Sequence, residues 1–168
     1  LFLYLEMITK QIVEKLANER IAERELDVYI VDINIGPAYQ IVIELDSENG
    51  GVDITDCIAV SRNVEHNLDR EEQDFSIEVA SADISKPFKV LKQYIKNIGK
   101  SVELKPLTND NYKSGKVEGI LKSATEEQVV ITTREKKRLE GRKKKEWVEE
   151  DHTFKMNEIK ETKIIITF

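Results

Sequence analysis

Residues 133–147 read TREKKRLEGRKKKEW, and the chemistry open to such a run is charge neutralisation of phosphate. Between Arg134 and Lys145 lie eight basic residues, Arg134, Lys136, Lys137, Arg138, Arg142, Lys143, Lys144 and Lys145, against two acids. The apolar content is too low to pack, so the segment is expected to be a long loop or a protruding hairpin. Phosphate contacts need charge and reach more than fixed geometry, which makes these eight side chains candidate RNA-binding residues. The plainer alternative is a solvated charged loop with no partner. Against it, so dense a basic excess is not needed for solubility in a chain whose remaining surface is acidic.

Other residue types that do chemistry are sparse. His66 falls on the polar side of a helical segment, and His152 lies beside Glu149, Glu150 and Asp151; neither has a partner at a motif spacing. Cys57, the only cysteine, falls on an apolar helical stripe, which suits a buried structural thiol better than a nucleophile. Glycines occur as Gly50-Gly51 and singly, without a phosphate-cradling or dinucleotide-binding spacing. The cluster Glu149-Glu150-Asp151 lacks the spaced ligands and glycine of a calcium loop. The pattern points away from an enzyme, and no metal or cofactor is expected.

Net charge conceals a division of the chain. The total is −6, yet up to Ser85 there are 6 Lys+Arg against 19 Asp+Glu, and from Lys86 onward 20 against 13. An acidic half followed by a basic half implies two surfaces meeting different partners. One cysteine in 168 residues suits a reducing compartment. Residues 1–5 are apolar but are followed at once by Glu6, too short a run for a signal-peptide core or a membrane span. Met7 is read as the natural start, and the protein as cytoplasmic with no membrane partner.

The elements that must position these residues follow from periodicity. Ile8, Ile12, Leu16 and Ala17 recur at helical spacing. Residues 26–35 and 40–45 read as strands joined at Gly36-Pro37, close enough to form a hairpin. Asp53 is a candidate N-cap for a second helix, with Asp56 suited to the helix dipole. Ile54, Cys57, Ile58, Ser61, Val64 and Leu68 form its expected stripe. Residues 74–79 alternate as a third strand burying Phe75, Ile77 and Val79. This order predicts an α+β fold whose N-terminal domain is a layer of two helices on three strands.

Residues 83–98 read as a connector with a short helix from Phe88. Beyond residue 99 only short strands appear, marked by Val102/Leu104, Val117 with Ile120/Leu121, Val129/Ile131, Phe154/Met156 and Ile164/Ile166. About five strands in so short a stretch predict a small C-terminal SH3/Sm-like β-barrel, because closure removes exposed edges. The expected division is therefore 1–82, 83–98 and 99–168, with the basic loop at 134–145.

Several of these segments resemble the bacterial ribosome maturation factor RimP family. Residues 51–62, GVDITDCIAVSR, are similar to the family's G-[IV]-x-[IL]-[DT]-D-C-x-x-[VL]-S-R entry to its second helix. Residues 39–46 look like its R-V-x-[IV]-D strand, with Tyr39-Gln40 where a basic residue is usual. Residues 75–81 resemble its L-E-V-S-S strand, and Lys86-Pro87-Phe88 falls where R-P-L is usual. Residues 99–104 and 119–121 are similar to its G-[KR]-x-V and G-x-L segments, and residues 156–163 to its closing strand. The family connector S-S-P-G-[LI]-x-R-P is here ASADISKP, so Ala82-Asp83 replaces Pro-Gly and Lys86 replaces an arginine that could fork onto an oxyanion. Ser81, Asp83, Lys86 and Pro87 are the connector's candidate partner contacts.

The resemblance implies a non-catalytic factor for the small (30S) ribosomal subunit. Such a factor binds the immature subunit and its 16S-type rRNA, and aids entry of a basic ribosomal protein near the decoding centre. The charge division suggests the acidic half for that protein and the basic run for rRNA. An Sm-like RNA-binding regulator without a ribosomal role is the alternative, and an enzyme built from scattered residues is a third.

Overall fold

A computed structural model of the chain describes residues 7–108 and 115–168; the apolar stretch at residues 1–5 lies outside them. The described residues form an α+β fold with three α-helices and two sheets. The chain divides into two compact units, Leu1–Asp83 and Ile84–Phe168, and the boundary falls where the charge changes sign.

In the first unit, α1 (Lys10–Glu23) leads into β1 (Tyr29–Ile35) and β2 (Gln40–Asp46), then α2 (Ile54–His66) and β3 (Ser76–Ser81). Thr9 caps α1 by accepting from the Ile12 amide at 3.3 Å. The helix ends in a Schellman arrangement: Leu26 N–H donates to the Ile21 carbonyl and Glu25 N–H to that of Ala22. Glu25 consequently holds a left-handed φ of 50°, a position where glycine is normally favoured. The sheet order is β1-β2-β3, antiparallel for the first pair and parallel for the second. A parallel pair needs a crossover, which α2 supplies.

A bulge between Ile30 and Asp32 shifts the phase of β1. It brings Ile30, Ile33 and Ile35 opposite Leu45, Ile43 and Ile41, while Ile77 and Val79 pair with Ile41 and Ile43 from the other side. Residues directly opposite in a ladder share a face, so one continuous apolar surface forms. Val13, Ala17, Val60 and Val64 cover it, all fully buried.

The α2 stripe is rotated from the one periodicity suggests. Cys57, Ala59, Val60, Asn63 and Val64 are buried, whereas Ile54 and Ile58 are 76% and 44% exposed. Asn63 is the reason. Its Nδ2 donates to the Leu16 carbonyl at 2.6 Å, and its Oδ1 accepts from Arg20 at 2.9 Å. This polar clamp between α1 and α2 turns the helix toward Asn63. Arg70 anchors the start of β3, donating to the Phe75 carbonyl at 2.7 Å with its guanidinium 4.3 Å from the Phe75 ring centroid.

The second unit begins before its strands. Residues 83–98, read from sequence as a connector and a short helix from Phe88, carry α3 (Leu91–Lys96), and Tyr94 enters the second core with Phe88 and Leu91 against it. The Tyr94 hydroxyl donates to Thr162 Oγ1 at 3.0 Å, giving a fully buried threonine its partner. Five antiparallel strands follow: β4 (Ser101–Pro106), β5 (Val117–Ala124), β6 (Gln128–Arg138), β7 (Lys145–Lys155) and β8 (Ile159–Ile164), in the order β7-β6-β5-β4-β8. The last strand starts earlier than the apolar pair Ile164/Ile166 suggests: Thr162 is its buried residue, and Ile166 is 43% exposed. Val102, Leu104, Leu121, Val129 and Ile131 are fully buried in this core.

At Gly119 in β5 the neighbouring strand β6 leaves no room for a side chain. A Cβ there would meet the Thr132 carbonyl oxygen at 2.5 Å and Ile131 Cγ2 at 2.8 Å. Neither the backbone oxygen nor a fully buried side chain can move aside. Gly119→Ala is therefore expected to destabilise the protein by about 1–3 kcal/mol, measured by denaturant unfolding. Glu25→Gly should act in the opposite sense, stabilising by about 0.5–1 kcal/mol through relief of the left-handed residue. A neutral Gly119→Ala or a destabilising Glu25→Gly would contradict these packing and capping assignments.

Candidate nucleic-acid interface

The basic run forms the outer half of one hairpin. Val129 pairs with Phe154 and Ile131 with His152 in the core, and the same ladder continues outward without a shift through Arg134↔Glu149, Lys136↔Trp147 and Arg138↔Lys145. Only residues 139–144 lie outside the strands. Arg142 N–H donates to the Leu139 carbonyl at 3.1 Å, and Gly141 supplies the positive φ of 79° that this turn requires.

Strand alternation then sorts the charges. Because opposite residues share a face, Arg134, Lys136, Arg138 and Lys145 lie on one side with Trp147 and a single carboxylate, Glu149. The other side continues the plane of the core and carries Glu135, Lys137, Glu146, Val148 and Glu150. Acids and bases that alternate in sequence are thus separated in space. All eight candidate side chains are exposed, but their surroundings differ. Lys137 lies on the acidic side within 3.5 Å of Glu135 and 3.7 Å of Glu150. Arg142 pairs with Glu146, and Arg134 stands 4.0 Å from Glu149. Lys136, Arg138, Lys143, Lys144 and Lys145 have no ion-pair partner among the described residues. The cations best free to meet phosphate are therefore the outer face and the turn.

The base of the hairpin is tied down on both sides. On the outer side, Asp151 accepts from Lys122 at 2.5 Å and from Thr132 at 2.7 Å, and these bonds hold its carboxyl below the usual range. On the core side, His152 Nε2 and Thr133 Oγ1 are 2.9 Å apart, so this histidine bridges the two strands. Trp147 is the residue that reading by charge passes over. Its ring lies 4.8 Å from the Arg134 guanidinium and 5.0 Å from the Lys136 ammonium, within cation–π range. The signal for it was an aromatic residue in phase with Lys145 and Glu149.

The other sequence candidates separate. Ser81 ends β3, where it pairs with Leu45; Ser81 and Asp83 belong to the first unit, and Lys86 and Pro87 to the second. A turn at Ile84 and Ser85 lies between them. Burial, with Asp56 adding to it, pushes the Cys57 thiol up, away from the thiolate a nucleophile needs. Among the described residues no three His, Cys, Asp or Glu side chains group to hold a metal ion, and no helix is long and apolar enough to cross a membrane.

Fold and site together define a two-unit α+β protein with an acidic first unit and a cationic hairpin on its second. The family model described as the RimP N-terminal domain matches residues 12–84. A ribosome maturation factor RimP from Christiangramia forsetii is 38% identical over 159 residues, covering 95% of this chain and 99% of the relative. One from Flavobacterium psychrophilum is 36% identical over 164 residues, covering 96% and 100%. One from Porphyromonas gingivalis is 29% identical over 160 residues, covering 95% and 100%. The chain belongs to the ribosome maturation factor RimP family.

The Asp151 bonds make the hairpin base acid-sensitive. A carboxyl held below its ordinary value of 3.8 contributes stability that is present above that pH and lost as pH falls through the lower folded value. The protection of amides at residues 130–134 and 149–153, measured against their intrinsic exchange rates at each pH, is expected to fall over that acid interval. In Asp151→Asn the acid step should vanish, with exchange already faster at neutral pH. Identical acid profiles in the two proteins would remove Asp151 from this role.

Proposed function

We propose that this protein is a non-catalytic assembly factor for the small (30S) ribosomal subunit, acting in the cytoplasm without a membrane partner. In this reading it binds the immature subunit through 16S-type rRNA and a basic ribosomal protein near the decoding centre. The observation that carries the reading is the segregated cationic face of the β6–β7 hairpin in a chain of the RimP family. Phosphate neutralisation asks for several solvated cations close together on an extended element, which Arg134, Lys136, Arg138 and Lys145 on one side and Lys143 and Lys144 in the turn supply.

The first unit supports the other half of the reading. Its acids include the exposed Glu14, Glu19, Glu23 and Glu25 on and after α1, and Asp69, Glu71, Glu72 and Asp74 before β3. A surface of this sign favours encounter with a basic protein and repels nucleic acid. The five-stranded sheet of the second unit is compatible with a closed SH3/Sm-like barrel, from which the hairpin would project. Ser81, Asp83, Lys86 and Pro87 are proposed as partner contacts on the same resemblance.

Salt dependence tests this division of labour. If about four cations meet phosphates together, the log–log salt slope for RNA should be about −3 to −4, at roughly −0.7 to −0.9 per phosphate. Changing Lys143, Lys144 and Lys145 together to Glu should weaken RNA binding and flatten that slope. Each change should cost at most about 0.5 kcal/mol of stability, as expected for exposed positions. The slope for a basic ribosomal protein should stay nearly unchanged. A triple variant that binds immature small subunits as the parent does would leave the hairpin without this role. RNA binding without co-sedimentation with immature subunits would favour an Sm-like regulator.

A further inference from the structure

We propose that Trp147 is a stacking platform for an unpaired nucleobase, so that the hairpin binds single-stranded rather than fully paired RNA. The inference rests on the reading of the hairpin as an RNA contact and adds what that contact selects. Trp147 is 55% exposed and lies outside the second core. A tryptophan serving only to pack would be expected to lose far more of its surface. It stands in the middle of the cationic face, directly opposite Lys136 and flanked along the same strand by Lys145 and Glu149. Arg134 and Lys136 lie over the ring, each about 5 Å from its centroid, within cation–π range, and keep two positive charges against it.

That grouping fits one kind of occupant. A base stacked on the indole continues at its sugar into a phosphate, and the neighbouring cations lie within reach of that phosphate. Aromatic rings among basic side chains are the recurrent way single strands are held, because every base offers a π face while paired bases keep theirs inside the helix. An acidic peptide could satisfy the cations but would make little use of a large exposed ring.

The test uses a built-in reporter, since Trp147 is the only tryptophan of the chain. The intact protein would be titrated with an unstructured oligoadenylate, a fully paired RNA duplex, inorganic polyphosphate and an acidic peptide, following indole emission and affinity. Oligoadenylate is expected to quench Trp147, and polyphosphate to bind without comparable quenching. Trp147→Leu should weaken oligoadenylate binding about 5- to 100-fold, leaving polyphosphate affinity and the salt slope unchanged, while Trp147→Phe retains most of the affinity. Single-strand binding with neither quenching nor loss in Trp147→Leu would overturn the stacking role and leave the charged hairpin as an RNA contact. Equal quenching by the duplex would overturn the single-strand preference. Peptide binding that alone depends on Trp147 would make the ring a protein contact and overturn the proposal. Failure of the intact protein to bind any RNA would overturn the hairpin reading and this inference with it. Should Trp147→Leu fail to fold, the quenching pattern of the parent protein decides alone.

Discussion

The pairing register of β6 with β7 governs the chemical character of everything beyond the second core. Val129 and Phe154 face each other inside that core, and from there the ladder runs outward to Arg138 and Lys145 without a shift. A slip of one residue would carry Phe154 into solvent and exchange the two faces of β7. Glu146 and Val148 would then stand among Arg134, Lys136 and Arg138, and the cationic face would be lost. Burial of one phenylalanine at the root of the hairpin thus fixes where charges lie several residues away. Asp151, with Lys122 and Thr132, and the His152–Thr133 contact brace the same root from opposite sides.

A similar dependence holds in the first unit, where the phase of β1 decides whether three isoleucines join the core. The bulge after Ile30 realigns the strand so that Ile33 and Ile35 share a face with Ile41 and Ile43. Helix α2 then seats on that face in the rotation set by Asn63, Leu16 and Arg20. Two buried or half-buried polar contacts thereby choose among helix orientations that hydrophobicity alone leaves nearly equivalent. Specificity of this sort is a recognised use of buried polar groups.

The two units also divide the electrostatic work. Acids dominate up to Asp83 and bases beyond it, so each unit carries a potential of its own sign. Within the second unit the cations are concentrated further by alternation along two strands. Free cations at the turn and outer face stand in contrast to Lys137 and Arg142, whose charges are met by Glu135, Glu150 and Glu146. Local pairing of this kind lowers the gain from a later phosphate contact, since the acid must first be released.

Local pattern was sufficient for much of this molecule. The change from mixed helices and strands to strands alone, with the reversal of charge after Ser85, pointed to a division of the chain, helical spacing pointed to two N-terminal helices, and the density of cations singled out residues 134–145. Each of those depends on composition or on short-range periodicity, which a sequence displays directly. Which side chains share a face was decided only by tertiary structure. Lys137 left the cationic set because strand pairing turned it toward Glu135, and Ile54 and Ile58 left the core because Asn63 turned α2. Phe88, Leu91 and Tyr94 pack with the second core, where Tyr94 meets Thr162, a partner 68 positions away. Trp147 became part of the cationic face because the ladder set it opposite Lys136. These outcomes depend on contacts between residues distant in sequence, and strand register and helix rotation are settled by the sum of such contacts rather than by any local propensity.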